Sequence, residues 1–425
     1  MTRTTAFKDF YLKPLDQRLK VLAKHTELTE VELEQLKQSG ALPLATADRM
    51  IENVIGVVHL PLGLAVNFRI NQRDYLIPMA IEEPSVVAGA SYAAKLTLPK
   101  GFTADADEPI MIGQLQLIRL PDVKKAQAKV LAHKTEILEQ ANKQDATLIK
   151  LGGGARDLQA RVLATPSGPI LVVHLLVNVL DAMGANAVNT MAEAIAPMLE
   201  QLTGGKVRLR IISNLAVHRL ARAKTVWKKE ALAKEPFSGE EVVQGIIEAY
   251  EFADADPFRA TTNNKGIMNG ISSVTIATGN DWRAVEAGAH AYAAVDGRYK
   301  PLAKYSKNAD GDLVGEIELP IAVGIIGGSI RTNPLAPICL KILGVKSARE
   351  LAGVMAAVGL AQNFAALRAL ATEGIQRGHM RLHARNIAVM AGATNEQIYK
   401  IAEQMAKEKN VRLDRAKELL SQTQP

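Results

Sequence analysis

Residues 110–215 constrain the fold more than any other part of the chain, because predicted strands and helices follow one another there in a defined order. The predicted elements are a strand at 110–120, a helix at 121–143, strands at 158–165 and 170–180, a helix at 182–202 and a strand at 207–215. This β-α-β-β-α-β order is that of the ferredoxin-like split unit, which is small enough to be inserted in a larger domain. No strand-GxGxxG-helix pattern occurs in it, so a Rossmann domain is not supported.

The remainder of the chain predicts an α+β protein, in which a large, mainly helical domain carries this inserted small domain. The predicted parts are the large domain at 1–109 and 217–374, the small domain at 110–216 and a C-terminal helical flap at 375–425. The run at 347–374 is nearly uncharged in its middle and predicts a helix buried on most sides. Gly374 and Gly378 precede a basic, histidine-rich segment, and we expect them to act as hinges of a mobile flap.

Composition predicts a soluble enzyme of two or three domains. The 425 residues are 48% hydrophobic, with a mean hydropathy of +0.03. The N-terminal residues lack the apolar core of a signal peptide, and the most apolar long run contains Gln362 and Asn363, so no membrane span is expected. Cys339 is the one cysteine, which excludes disulfides and cysteine-based zinc sites. We therefore expect a cytoplasmic protein.

The net charge of +7 raises the question of an anionic partner. Seven lysines and arginines and no acid lie between Val207 and Glu230. Nucleic-acid binding is one interpretation, but no aromatic ladder, zinc spacing or recognition helix accompanies the charge. A surface that attracts anionic small molecules is a second interpretation, and a solvated run of charges is a third.

The segment at 257–290 combines several chemically active side chains with glycines and other small residues. Lys265 is followed by Gly266 and preceded by two asparagines, which predicts a turn where the backbone approaches a ligand. Asp281 follows Gly279 and Asn280 and is placed to cap a helix that starts at Trp282. On pattern alone, a loop followed by a capped helix is the simpler interpretation.

Two further segments carry polar groups at the ends of predicted strands. Glu82 and Glu83 are adjacent carboxylates that repel each other, which favours a proton on one of them. Pro84 predicts the first turn of a helix directly after them. The segment 181–186 (DAMGAN) opens the second helix of the small domain, and a helix N-terminus with small residues is a ready anion site.

Together these segments resemble class II 3-hydroxy-3-methylglutaryl-coenzyme A (HMG-CoA) reductases, the soluble bacterial and archaeal form. The matching words are NKGIMNG and GND within 257–290, ENVIG at 52–56, EEPSVVA at 82–88, DAMGAN at 181–186 and GHMRLHARNIAV at 378–389. The resemblance runs from about residue 10 to the last helix. It implies the interconversion of HMG-CoA and mevalonate plus free coenzyme A by two hydride transfers with a nicotinamide cofactor. It does not indicate the physiological direction.

The resemblance also implies four catalytic residues. Lys265 would neutralise the developing oxyanion, and Asp281 would hold and tune that lysine. Glu83 would supply a proton to the carbonyl oxygen, and His379 would protonate the departing thiolate. His379 and His383 have the spacing of a metal pair on a helix, but no HExxH motif is present and hydride transfer needs no metal, so we predict no metal site.

Substrate and cofactor contacts follow from the same resemblance. Arg259, Ser85 and Asn269 would bind the hydroxymethylglutaryl group, since arginine pairs naturally with a carboxylate. The cofactor residues it implies are Asp181, Met183, Gly184, Ala185, Asn186 and Asn214. Asp145 lies where members that use NAD carry an acid, which would accept from a ribose 2′-hydroxyl and repel a 2′-phosphate. We therefore expect NAD, with NADP as the alternative.

The expected partners are HMG-CoA, mevalonate and coenzyme A, without nucleic acid or membrane. The family pairs through ENVIG, which implies a homodimer with the active site at its interface, and higher oligomers stay open. An inactive acyl-CoA-binding homologue is the alternative function. It would give no reason for Glu83, Lys265, Asp281 and His379 to occur together.

Overall fold

The computed structural model describes residues 5, 7, 10–38, 42–372, 374–394 and 396–422, without the side chains of Tyr11 and residues 375–382. The elements before the small domain are α1 (Leu15–His25), α2 (Glu30–Lys37), α3 (Leu44–Ala47), β1 (Leu62–Ile70), β2 (Arg73–Ala80), α4 (Val86–Lys95) and β3 (Thr103–Ala106). Strands β1 and β2 form an antiparallel hairpin. Thr29 and Glu32 begin α2 with a capping box, in which each side chain accepts from the other residue's backbone N–H.

The small domain has the predicted β-α-β-β-α-β order, with its first helix divided into two and followed by a further short helix. Its elements are β4 (Ile110–Ile118), α5 (Val123–Ala132), α6 (Lys134–Asn142), α7 (Ala146–Lys150), β5 (Gly154–Leu163), β6 (Ile170–Asn178), α8 (Ala185–Thr203) and β7 (Lys206–Ser213). The strands form one sheet in the order β5-β6-β4-β7, and all neighbours are antiparallel. Its core is separate from the main core and packs the helices against one face of the sheet.

The chain then continues through β8 (Leu220–Trp227), α9 (Lys229–Leu232), α10 (Gly239–Ala255), α11 (Pro257–Ala277), α12 (Trp282–Ala293), β9 (Ala303–Lys307), β10 (Leu313–Pro320), α13 (Leu335–Leu343), α14 (Ala348–Ala371), α15 (Ile375–Met390), α16 (Glu396–Lys407) and α17 (Leu413–Gln422). A second four-stranded sheet has the order β3-β8-β10-β9. Strand β3 precedes the small domain and β8 follows it, so the small domain is inserted between two paired strands. The N–H of Asp107 donates to the carbonyl of Leu220 over 2.9 Å where the two ends meet.

Helix α14 is the predicted buried helix, and its burial is confirmed: every residue from 351 to 364 is buried. Phe364 of this helix stacks on Trp227, with ring centroids 4.0 Å apart. By length and composition α14 could also cross a membrane, but 72% of its most apolar window is buried inside the protein. It is therefore the central helix of the main core, which the β3-β8-β10-β9 sheet and α4, α10 and α11 surround.

Helices α15, α16 and α17 have a small core of their own, in which Ala384, Ile401 and Met405 are buried. Helix α15 starts directly after Gly374, whose φ of 79° is a conformation that glycine adopts without strain. The mixed helix and strand class is confirmed. The domain boundaries at 109, 216 and 374, and the mobility of the flap, stay predictions.

Candidate active site

Three of the predicted site residues, Glu83, Lys265 and Asn269, meet at the Glu83 carboxylate. Lys265 Nζ lies 2.7 Å from Glu83 Oε2, and Asn269 Nδ2 donates to the same oxygen over 3.3 Å. Lys265 and Asn269 are four residues apart on α11, so they lie on the same side of that helix. The Lys265 side chain is 59% exposed, so the site is open to solvent in the isolated subunit.

Ser85 holds the turn between Glu83 and α4 in a strained shape. Its φ of 73° is left-handed, which is uncommon for a residue with a side chain. Helix α4 begins at Val86, so the prediction that Pro84 occupies the first helical turn is wrong. Strained backbone often occurs at ligand sites, where the surrounding structure holds it in place. Here the strained residue follows, two positions along the chain, the glutamate that Lys265 contacts.

Lys265 itself is in the middle of α11, so the predicted turn around Lys265 and Gly266 is wrong. Asparagine breaks helices when its side chain competes for nearby backbone groups. Here Asn264 instead donates to the carbonyl of Lys300 over 2.8 Å, and Asn263 accepts from Asn363 over 2.9 Å. Because both amides are satisfied by other segments, α11 continues through them and presents Lys265 from a rigid element.

Arg259 is half-buried near the start of α11. Burial lowers the pKa of its guanidinium. Within the described part of the chain, no acid forms an ion pair with this side chain. A half-buried arginine without an acidic partner suits an anionic ligand, because a charge is costly to bury unless it is paired.

Asp281 caps α12, as predicted, and accepts from the N–H groups of Arg283 and Ala284. Its side-chain partner is the Arg283 guanidinium, at 3.2 Å, and not Lys265. Burial raises the pKa of the Asp281 carboxyl, but the bonds from Arg283 and Ala284 outweigh burial, so the pKa lies below its usual range. The carboxylate is therefore ionised at neutral pH. Its predicted role in holding Lys265 stays a prediction.

Three other polar residues of the 257–290 segment, Ser272, Glu286 and His290, form a network that ties α11 to α12. Glu286 accepts from Ser272 Oγ over 2.5 Å and pairs with His290 Nε2 at 3.1 Å. The other ring nitrogen of His290 lies 2.7 Å from the Tyr299 hydroxyl. Burial raises the pKa of Glu286, but the bonds with His290 and Ser272 reverse this and leave it lowered. This network fixes α12, and hence Asp281, relative to α11.

The predicted cofactor segment lies at the N-terminus of α8. Gly184 is the N-cap with a φ of 98°, no side chain caps the helix, and its first turn contains no acid. A Cβ at Gly184 would lie 2.4 Å from the Val179 side chain, which explains why this position is a glycine. Met183 and Ala185 are half-buried and Asn186 is exposed. Uncapped N–H groups in a first turn that contains no acid suit a phosphate.

The carboxylates of two predicted cofactor residues cap helices. Asp181 Oδ1 accepts from the N–H of Ala348, the first residue of α14, over 2.8 Å. Asp145 caps α7 and accepts from the N–H of Leu148 over 2.8 Å. Asn214, at the end of β7, packs its carbonyl against Gly288 of α12, where a Cβ would lie 2.6 Å away. The small domain therefore contacts the helix that Asp281 caps.

His379 belongs to α15, and its side chain lies outside the described residues. Among the side chains that are described, no group of three or more His, Cys, Asp or Glu is arranged to hold a metal ion. The absence of a metal stays a prediction.

Two residues near the site did not emerge from the sequence as candidates. Arg219 is buried beside the 181–184 loop. The buried amide oxygen of Gln362 has no hydrogen-bond partner within the described part of the structure. Gln362 contacts Gly89 of α4 and Gly270 of α11, the helices that carry Ser85 and Asn269. A polar residue within an apolar helix is the signal that points to Gln362.

Comparison with known proteins identifies the family. Residues 14–384 match the model of the family described as hydroxymethylglutaryl-coenzyme A reductase. The chain belongs to this family. It is 59% identical over 412 residues to the 3-hydroxy-3-methylglutaryl-coenzyme A reductase of Archaeoglobus fulgidus, covering 97% of this chain and 93% of that protein.

Solved structures agree with the family assignment. The HMG-CoA reductase of Streptococcus pneumoniae has a TM-score of 0.84 and 40% identity, covering 99% of this chain and 100% of that chain. A structure of the class II enzyme from the same organism, bound to NADPH in open conformations, has a TM-score of 0.82 and 42% identity, covering 96% and 99%. These matches support reduction of HMG-CoA to mevalonate, and they give no support to an inactive acyl-CoA-binding homologue.

Proposed function

We propose that this enzyme reduces HMG-CoA to mevalonate at the Glu83–Lys265–Asn269 cluster, by two successive hydride transfers, one from each of two nicotinamide dinucleotide molecules. The observation that carries the proposal is the convergence of the Lys265 ammonium and the Asn269 amide on Glu83 beside the strained Ser85 turn. The test follows the absorbance of NADH and NADPH with HMG-CoA and titrates the released thiol. Absence of oxidation of both dinucleotides would rule the proposal out.

The first step turns the thioester carbonyl into an oxyanion when a hydride reaches its carbon. Lys265 neutralises this oxyanion, and Glu83 supplies a proton to it. The hemithioacetal hydroxyl then returns its proton to Glu83 as the C–S bond breaks, which gives mevaldehyde and the coenzyme A thiolate. The thiolate takes a proton from His379. A second hydride reduces the aldehyde, and the alkoxide is protonated within the same cluster.

We assign substrate binding to Arg259, Ser85 and Asn269. Arg259 binds the free carboxylate of the hydroxymethylglutaryl group, because a half-buried guanidinium pairs well with a carboxylate. Ser85 and Asn269 bind the same group.

The dinucleotide binds across the N-terminus of α8. When bound, it supplies the hydride. The N–H groups of Ala185 and Asn186 receive a phosphate, since the helix end is uncapped and its first turn contains no acid. The pneumococcal relative bound to NADPH supports a nicotinamide cofactor for this enzyme. Met183 and Asn214 complete the contacts that we assign to it.

For the choice of cofactor, we expect NAD(H) to be preferred over NADP(H) because of Asp145. Its carboxylate would repel a 2′-phosphate at short range. Asp145→Asn is the informative change, because asparagine caps helices about as well as aspartate and therefore retains α7. The ratio of kcat/KM for NADPH to that for NADH should rise roughly tenfold, equivalent to about 1.4 kcal/mol. A wild type that favours NADPH, or an unchanged ratio, would contradict this role.

His379→Gln should slow thioester reduction much more than reduction of free mevaldehyde, because only the thioester expels a thiolate. General-acid catalysis typically contributes about 10²–10⁴ in rate. The measurement is kcat on both substrates with the same enzyme preparation. Equal losses on the two substrates would show that His379 does not protonate the thiolate. A chelator should leave both rates unchanged if the site uses no metal.

We further propose a cytoplasmic homodimer that pairs through the segment 52–56. Ile51, Ile55 and Val58 are exposed around this segment, and an apolar cluster of this kind favours contact with a partner. A second subunit would also cover the open Lys265 site. Sedimentation velocity tests this, since a monomer at assay concentration with full activity would rule it out. HMG-CoA, mevalonate and coenzyme A are its small-molecule partners.

A further inference from the structure

Arg219 is a buried arginine at the exit from the small domain, between β7 and β8. Its side chain is outside the sites assigned above, and the residue is only 4% exposed. Its guanidinium donates to the carbonyls of Ala182 and Met183, each over 3.2 Å, and to the carbonyl of Val323. Burial lowers its pKa to about 10, while the charge of Asp181 opposes this, so the group stays charged at neutral pH.

The segment after β10 packs against the same loop. The N–H of Ile325 donates to the carbonyl of Asp181 over 2.9 Å. Gly324 lies so close that a Cβ would be 2.6 Å from the backbone nitrogen of Met183. The main chain of one domain therefore lies directly against the cofactor loop of the other, and only glycine permits this approach.

Asn280 connects this contact to the candidate catalytic aspartate. Its side-chain oxygen accepts from the N–H of Gly324 over 2.7 Å, and its side-chain nitrogen donates to the carbonyl of Gly324 over 3.0 Å. The next residue, Asp281, caps α12. Hydrogen bonds and close backbone packing thus run without interruption from Asp281 through Gly324 to the 181–183 loop.

We propose that Arg219, Asn280 and Gly324 form a positioning clamp that holds the 181–184 loop, and with it the bound dinucleotide, at a fixed place relative to Asp281. The inference rests on the proposed function, because it takes the N-terminus of α8 as the dinucleotide site. Arginine suits this position, since its planar group has five donors and reaches carbonyls of separate segments, whereas a lysine ammonium acts as a point charge. Hydride transfer is sensitive to such placement, because a displacement of about 1 Å can cost about 10²-fold in rate.

Arg219→Lys and Gly324→Ala test the clamp from its two sides. Gly324→Ala pushes on the backbone of Met183 without removing a charge or a ligand contact. It also serves if Arg219→Lys does not fold. The dissociation constants for NADH and NADPH, measured by fluorescence titration, should rise roughly tenfold in both variants, whereas that for coenzyme A should stay within about twofold. Simple destabilisation would lower the melting temperature and the active fraction but would not shift the dinucleotide constant alone.

Gly353→Ala is the matched control, because its added Cβ meets ordinary contacts, the nearest at 3.5 Å on Ala104. Asn186→Ala tests the dinucleotide site itself. One outcome is that Asn186→Ala weakens dinucleotide binding while the two clamp variants bind the dinucleotides within about twofold of wild type. That result would contradict the clamp proposal and leave the proposed dinucleotide site in place. If Asn186→Ala also binds normally, the assignment of the α8 N-terminus fails, and the clamp fails with it.

Discussion

Lys265→Ala should give a folded protein with almost no turnover. Loss of one group that stabilises an oxyanion typically costs about 10²–10³ in rate, and no second cation contacts Glu83 within the described structure to replace it. The fold should survive, because an exposed ion pair contributes about 0–1 kcal/mol. The measurements are kcat with HMG-CoA and the melting temperature, and a kcat within tenfold of wild type would contradict the role.

The matched control for this change is Lys341→Ala. Lys341 forms an ion pair of similar length, 2.9 Å, with Glu32, which is also distant in sequence. Loss of that pair should change stability about as much as loss of Lys265 but should leave kcat intact. A comparable fall in kcat in both variants would mean that ion-pair loss disturbs the fold, rather than that Lys265 acts on the oxyanion.

The elements that the sequence predicted well are those determined by local patterns. The order of the small domain follows from period-two and helical spacing, and the cap at Asp281 follows from a short motif. The burial of α14 follows from its uncharged composition. Each of these patterns lies within a few turns of chain, so no tertiary contact is needed to recognise it.

The wrong prediction around Lys265 has a tertiary cause. Two adjacent asparagines and a glycine normally favour a turn, but Asn263 and Asn264 bond to α14 and to the segment before β9. The glycine at position 270 also has a tertiary explanation, because a Cβ there would lie 3.0 Å from the Gln362 side chain. These asparagines and this glycine are present because of contacts that only the folded chain makes. The sequence alone therefore could not distinguish a turn from a packed helix.

The site itself was predictable as a set of residues, though not as a set of contacts. The resemblance selected Glu83, Lys265 and Asn269, which the structure brings together. It did not indicate that Asp181 caps α14, because capping depends on where a distant helix begins. Arg219 was inconspicuous among seven basic residues, since only burial against the cofactor loop distinguishes it from a solvated charge.

Glu83→Gln should lower kcat by about 10²–10⁴, because glutamine cannot supply the proton that the oxyanion needs. KM for HMG-CoA should change little, since the amide oxygen still accepts from Lys265 and Asn269. Both half-reactions generate an oxyanion, so the rates with HMG-CoA and with mevaldehyde should fall together, unlike those of His379→Gln. Glu82→Gln is the control, because it neutralises the adjacent exposed carboxylate. Equal losses in the two variants would mean that local charge matters rather than proton transfer from Glu83.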